Sequence, residues 1–163
     1  MNLGEVFYRH MLRDPHAEAV VDGTLRRDYA DWYSEIRAVA GALQARGLKP
    51  GDHFVTILSN RYETATLYWA CQMLGLVFTP FNWRATADEI AYVLQDADTV
   101  AVAFEGLTRA TTTVEAIAIH GDARLVSLDM DAGDFDMLRE APPVDGPSAL
   151  DDSELCLMLY TSG

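Results

Sequence analysis

No stretch of this chain approaches the roughly 18 consecutive apolar residues that a membrane-spanning helix needs. Its opening, Met1-Asn2-Leu3-Gly4-Glu5-Val6-Phe7, has neither the basic start nor the apolar core of a secretory signal. Cysteine is scarce. The two present, Cys71 and Cys156, sit inside apolar runs and read as buried thiols, not as a disulfide or metal pair. Together these absences predict a cytoplasmic protein. Cations are short as well: 12 Lys and Arg stand against 25 Asp and Glu, a net charge of −13. That balance excludes nucleic acid and anionic membrane surfaces as partners, since both need clustered positive charge. It leaves a well-solvated acidic surface. His10, His16, His53 and His120 are scattered without metal-ligand spacing. GxSxG, CxxC, GxGxxG and the lysine-bearing Walker loop are absent, which removes support for nucleophilic hydrolysis and dinucleotide binding.

What remains suffices for one domain with a sizeable core: 163 residues, half of them apolar and 23% charged. Ala19-Val20-Val21 and Leu25 to Tyr29 flank Asp22-Gly23, a hairpin signal because the turn needs positive φ. Asp28 can cap the helix that follows, with Asp31 three residues on. Tyr33, Ile36, Ala40 and Leu43 recur at helical spacing, and Gly47 is placed to stop them. A turn at Leu48 to Asp52 leads to a buried strand, His53 to Leu58. Asn60 is placed to cap a second helix, whose stretch Ala65 to Leu76 is apolar nearly all round and therefore belongs in the interior.

Val77 to Pro80 reads as a strand ended by proline. Thr86 and Glu89 form a Thr-x-x-Glu capping box that opens a helix through Ile90, Val93 and Leu94. Strand Val100 to Phe104, a weaker helix near Ala110 to Ile119 and strand Leu125 to Leu128 complete the alternation. Such alternation predicts an α/β fold with a largely parallel, doubly wound sheet flanked by helices. Residues 129–153, with their acidic side chains and Pro142, Pro143, Gly146 and Pro147, read as a linker-like excursion. A final apolar run, Leu155 to Tyr160, is expected to be a buried strand.

That run delivers Thr161-Ser162-Gly163. Small hydroxyl residues and glycine after a buried strand are the material of a phosphate-cradling loop, because glycine lets backbone N–H groups approach the anion and the hydroxyls add donors. Taken alone the tripeptide favours an ordinary turn. Three other segments, in order, change the weighting: Leu25-Arg26-Arg27-Asp28-Tyr29-Ala30-Asp31-Trp32, then Gly47-Leu48-Lys49-Pro50-Gly51-Asp52, then Gly75 to Arg84 leading into Thr86-Ala87-Asp88-Glu89-Ile90. With Asp151-Asp152 and Tyr160 to Gly163 behind them, the set resembles the acyl-adenylate-forming superfamily, and within it the AMP-forming acyl-CoA synthetases, over residues 19–163.

The resemblance implies the N-terminal subdomain of that family's large domain, ending inside its phosphate loop. It implies that Thr161, Ser162 and Gly163 contact the phosphates of ATP, that Mg2+ and CoA serve the full-length enzyme, and that a carboxylic acid is the substrate. The rest of the loop, the adenine segment, the metal-binding glutamate and the catalytic lysine then lie downstream, so residues 1–163 contain no catalytic or metal-ligating residue and are expected to be inactive alone. Asn82-Trp83-Arg84 resembles acyl-CoA synthetases more than amino-acid-activating domains, which carry an aspartate after the proline. Trp83 and Arg84 read as a packed turn, with a CoA path or partner surface as the alternative. An amino-acid-activating domain that loads a carrier protein and a non-catalytic interaction module are the other readings. Surfaces left bare by a missing partner predict a homo-oligomer.

Overall fold

The computed structural model describes residues 2–151 and 153–161, with the side chains of 107–111 set aside. Helix α1 (Leu3–Arg13) comes first, then the hairpin β1 (Glu18–Asp22) and β2 (Leu25–Asp28), then α2 (Tyr29–Ala45). The wound part follows as β3 (His53–Ile57), α3 (Tyr62–Leu74), β4 (Val77–Pro80), α4 (Ala87–Asp96), β5 (Thr99–Phe104), α5 (Gly106–His120) and β6 (Val126–Asp129). A 3-10 turn, Met130–Ala132, and α6 (Asp134–Arg139) close the regular structure.

The four wound strands form one parallel sheet in the order β4-β3-β5-β6. Alternate strand residues enter two cores, as the pleat requires. Phe54, Phe78, Ala101 and Leu128 pack against Ile36, Leu43, Leu67 and Cys71 of α2 and α3. Val55, Ile57, Val102 and Phe104 pack against Ile90, Val93 and Leu94 of α4 and Ala116 of α5. The order reverses between β3 and β5, so α3 covers one face and α4 and α5 the other. The α/β reading holds.

Local signals set most element ends. Gly23 carries φ +57 at the first central position of the hairpin turn, where a II′-type geometry demands it. The Asp28 carboxylate accepts the Asp31 N–H at 2.8 Å. Thr86 and Glu89 complete a reciprocal capping box. Gly47, at φ +91, lets the Leu48 N–H close back on the Leu43 carbonyl.

Three segments differ from expectation. Asn60 does not cap α3; the N-cap is Arg61, whose side chain makes no cap, and the Tyr62 N–H is taken at 2.8 Å by Asp22 from the hairpin. Residues 130–132 and 134–139 are helical, and Phe135 and Leu138 are buried in the first core. Beyond them the Val144 N–H donates to the Arg37 carbonyl at 3.1 Å and the Ser148 N–H to the Met73 carbonyl at 2.7 Å, so this stretch is docked along α2 and α3.

The final run is not a buried strand. It meets the sheet at one parallel bridge, Phe78 with Leu157, and Leu155 and Leu159 are 56% and 62% exposed. The reason lies in β4. Phe78 accepts from Met158 and donates to Cys156, but the next inward donor on that edge would be residue 80, a proline without an N–H.

Candidate functional site

In an open α/β sheet, ligands usually lie beyond the carboxyl ends of the strands where the order reverses. Here that place, between the ends of β3 and β5, is filled by the chain itself. The buried Glu105 carboxylate accepts the Ser59 N–H at 3.2 Å and the Ser59 hydroxyl at 2.8 Å. Arg61 spans Glu63 and Asp131, each at 2.8 Å, and stands 3.7 Å from Glu105. The Glu63 hydrogen bond, followed by that of Asp131, holds the guanidinium firmly protonated against the opposing effect of burial. The Gly106 N–H donates to Asp131 at 2.9 Å, and a Cβ on Gly106 would stand 2.8 Å from an Asp129 carboxylate oxygen. This crevice is a closed ionic network.

An open cleft lies instead beyond the carboxyl end of β4. It has a volume of about 560 Å³ and is walled by Phe81, Asn82 and Ala85 of the turn, by Asp88, Glu89, Tyr92 and Val93 of α4, and by Tyr160 and Thr161. The turn is rigid. The Phe81 N–H donates to the Thr56 carbonyl at 2.8 Å, and Asn82 accepts from Arg84 and Ala85, each at 3.0 Å. Trp83 packs on the second core with the Arg84 guanidinium 4.0 Å above its ring, a cation–π contact. Trp83 and Arg84 thus take part in a packed turn.

The terminal segment reaches this cleft through Tyr160. Its ring stands edge-on to Phe81 at 6.0 Å, and its hydroxyl donates to Asp96 at 2.7 Å. Burial, then the Asp96 hydrogen bond, raises the phenol above its ordinary value, so it stays a donor at neutral pH. Thr161, the first of the expected phosphate-loop residues, is exposed at the cleft wall. Ser162 and Gly163 lie outside the described residues, as does Asp152. Asp151 is spent locally, accepting the Ser153 N–H at 2.9 Å and its hydroxyl at 2.7 Å.

Asp96 did not stand out in the sequence, although a signal was available. It is the last residue of α4, where the helix dipole disfavours an anion, and the last turn of α4 carries no basic residue. Chemically, the cleft combines aromatic walls, an acidic rim of Asp88 and Glu89, and the hydroxyl-bearing side chains of Tyr92 and Thr161. No Lys or Arg lines it among the described residues. Among the described residues no group of three His, Cys, Asp or Glu is placed to hold a metal ion.

Comparison with known proteins places this architecture. The family described as AMP-binding enzyme matches residues 7–163. The feruloyl-CoA synthase of an Amycolatopsis species is 32% identical over 161 residues, which cover 99% of this chain and 31% of that protein. The long-chain-fatty-acid–CoA ligase FadD15 of Mycobacterium bovis is 28% identical over 175 residues, covering 99% of this chain and 29% of that one. Among solved structures, a benzoate CoA ligase from Burkholderia xenovorans LB400 superposes with a TM-score of 0.87 at 18% identity, covering 98% of this chain and 32% of that one. That last likeness is one of fold. The chain spans about a third of the length of the curated relatives it matches.

Proposed function

The chain belongs to the AMP-binding enzyme family, and from that premise we propose that it is the N-terminal part of an ATP-dependent, AMP-forming acyl-CoA synthetase of the cytoplasm. In the proposed reaction a carboxylate oxygen attacks the α-phosphorus of ATP, pyrophosphate leaves, and the thiol of CoA then displaces AMP to form a thioester. The observation that carries this reading is the 32% identity to a CoA-forming ligase across 161 residues, nearly the whole chain.

The chain's own share of the work is positional. The β4 turn and α4 form a packed wall, Tyr160 attaches the terminal segment to it, and Thr161 offers a hydroxyl from that wall to a phosphate oxygen. Ser162 and Gly163 belong to the same proposed loop. Bringing two anions together requires cationic charge, and the described cleft supplies none. Mg2+, when bound with ATP, would neutralise part of the triphosphate charge; the described residues do not fit a metal ion, so no ligand to it is assigned in this chain.

Residues 1–163 alone are therefore inactive in this reading. The test is pyrophosphate release with ATP, Mg2+, CoA and a panel of aromatic and long-chain acids, run on this chain and on the full-length enzyme. Release by the full-length enzyme alone, with thioester formed on free CoA, is the expected result. Turnover by the 163-residue chain would contradict the assignment of the missing groups, and transfer only to a carrier-protein thiol would favour the carrier-loading reading. Self-association belongs to the same proposal, supported by the exposed Leu155, Leu157 and Leu159 on one edge. A monodisperse monomer by light scattering would count against it.

A further inference from the structure

We propose that Asp96 is a positioning residue for the phosphate loop: through the Tyr160 hydroxyl, its carboxylate sets where Thr161 stands at the cleft wall. The inference rests on the acyl-CoA synthetase reading above and adds a residue to it.

The backbone of the terminal segment is pinned by the Phe78 N–H to the Cys156 carbonyl and by the Met158 N–H to the Phe78 carbonyl, at 3.2 and 3.0 Å. Pro80 cannot donate the next bond of this ladder. Leu159 points outward, 62% exposed. Among the described residues, the attachment of the segment beyond Met158 therefore falls to the Tyr160 side chain, by its ring edge on Phe81 and its hydroxyl on Asp96.

Both partners are held by the wound sheet. Phe81 is tied to β3 through the Thr56 carbonyl, and α4 is fixed at its start by the Thr86–Glu89 capping box and along its length by the buried Ile90, Val93 and Leu94. The helix gives no reason of its own for a carboxylate at position 96, since an anion there opposes the dipole. The Tyr160 hydroxyl does give one. A charged acceptor at 2.7 Å makes a stronger, more directional tether than a neutral one.

The experiment measures steady-state kinetics and calorimetric ATP affinity in the full-length enzyme. It compares wild type with Asp96→Ala, Asp96→Asn, Tyr160→Phe and the double variant Asp96→Ala/Tyr160→Phe. The two single truncations are expected to raise KM and Kd for ATP about fivefold each, the size of one lost hydrogen bond, and to leave KM for the acid unchanged. Asp96→Asn should restore most of the affinity, because the amide oxygen still accepts. The double variant should be no worse than the weaker single variant, since both remove the same contact. Unchanged ATP parameters in Asp96→Ala overturn the proposal, as does an equal rise in both KM values, which is the mark of a merely structural role. A wild-type enzyme that releases no pyrophosphate overturns the proposed function itself, and this inference falls with it.

Discussion

The carboxylate of Asp22, at the end of a hairpin strand, accepts the backbone N–H of Tyr62 at 2.8 Å and so caps α3 from 40 residues away. Asn60, two residues before the helix and of a type suited to capping, leaves that donor to a partner brought in by the fold.

Asp22→Ala should therefore destabilise the chain by about 1 kcal/mol, the usual cost of a lost N-cap acceptor. Asp22→Asn, which keeps the acceptor, should cost less. Urea unfolding followed by circular dichroism measures both, and an Asn60→Ala variant should be close to neutral.

Gly41 lies in the middle of α2, where alanine would ordinarily gain up to about 1 kcal/mol in helix propensity. Here a Cβ would collide with the Pro142 carbonyl oxygen, a backbone atom that has no rotamer with which to yield. Gly41→Ala should thus destabilise by about 1–3 kcal/mol, as overpacking does. A stabilised variant in the same unfolding assay would mean that residues 142–144 are not seated on α2.

Arg61, just before α3, pairs with Glu63 in the first turn of that helix, Asp131 after β6 and, at 3.7 Å, Glu105 after β5. Arg61→Met would leave these carboxylates facing one another. Removing one partner from a buried ion network costs about 3–5 kcal/mol. With the arginine side chain 25% exposed, solvent screening reduces this to an expected loss of about 1–3 kcal/mol. The loss should shrink in high salt, since ions screen the repulsion left behind. A salt-independent loss would point to packing instead.

Acid should destabilise the chain. The Asp31 N–H, with His16 behind it, holds Asp28 below its ordinary value of 3.8. The Thr86 N–H does the same for Glu89, whose ordinary value is 4.5. Burial pushes Glu63 up, but the Arg61 hydrogen bonds and charge more than offset it and leave it lowered. Arg124 brings Asp122 down to about 2. Groups with depressed folded values contribute stability above their unfolded values and lose it as pH falls through the folded ones. The melting temperature should therefore be flat from neutrality to about pH 5 and fall below about pH 4.5, most of the loss being complete near pH 2.

Much of the molecule was legible because its signals are short-range. The Asp28 cap, the Thr86–Glu89 box and the Gly47 stop each act within five residues, and the sheet's strands alternate with helices of clear period. Helix α1 escaped the sequence reading: its anchor is Phe7, which packs among Tyr29, Trp32 and Trp69 at 4.6 to 5.7 Å, and that pocket exists only after α2 and α3 pack. Residues 130–139 escaped for the same reason, since Phe135 and Leu138 are buried against a core assembled from distant segments. The acidic, proline-bearing composition around them suggested only a linker.

The candidate site divides along the same line. The sequence alone determined the alternation of strands and helices from β1 to β6, the α/β class and the motif Tyr160 to Gly163, because local periodicity, capping chemistry and an ordered set of segments are properties of neighbouring residues. The tertiary structure decided that the order-reversal crevice is filled by Arg61 and its carboxylates, that the open cleft lies past β4, and that Asp96 meets Tyr160 across 64 positions. Those pairings follow from which strands lie side by side and from a proline that ends one ladder. Neighbour relations across a sheet are set by how the whole core packs, and no window of adjacent residues contains them.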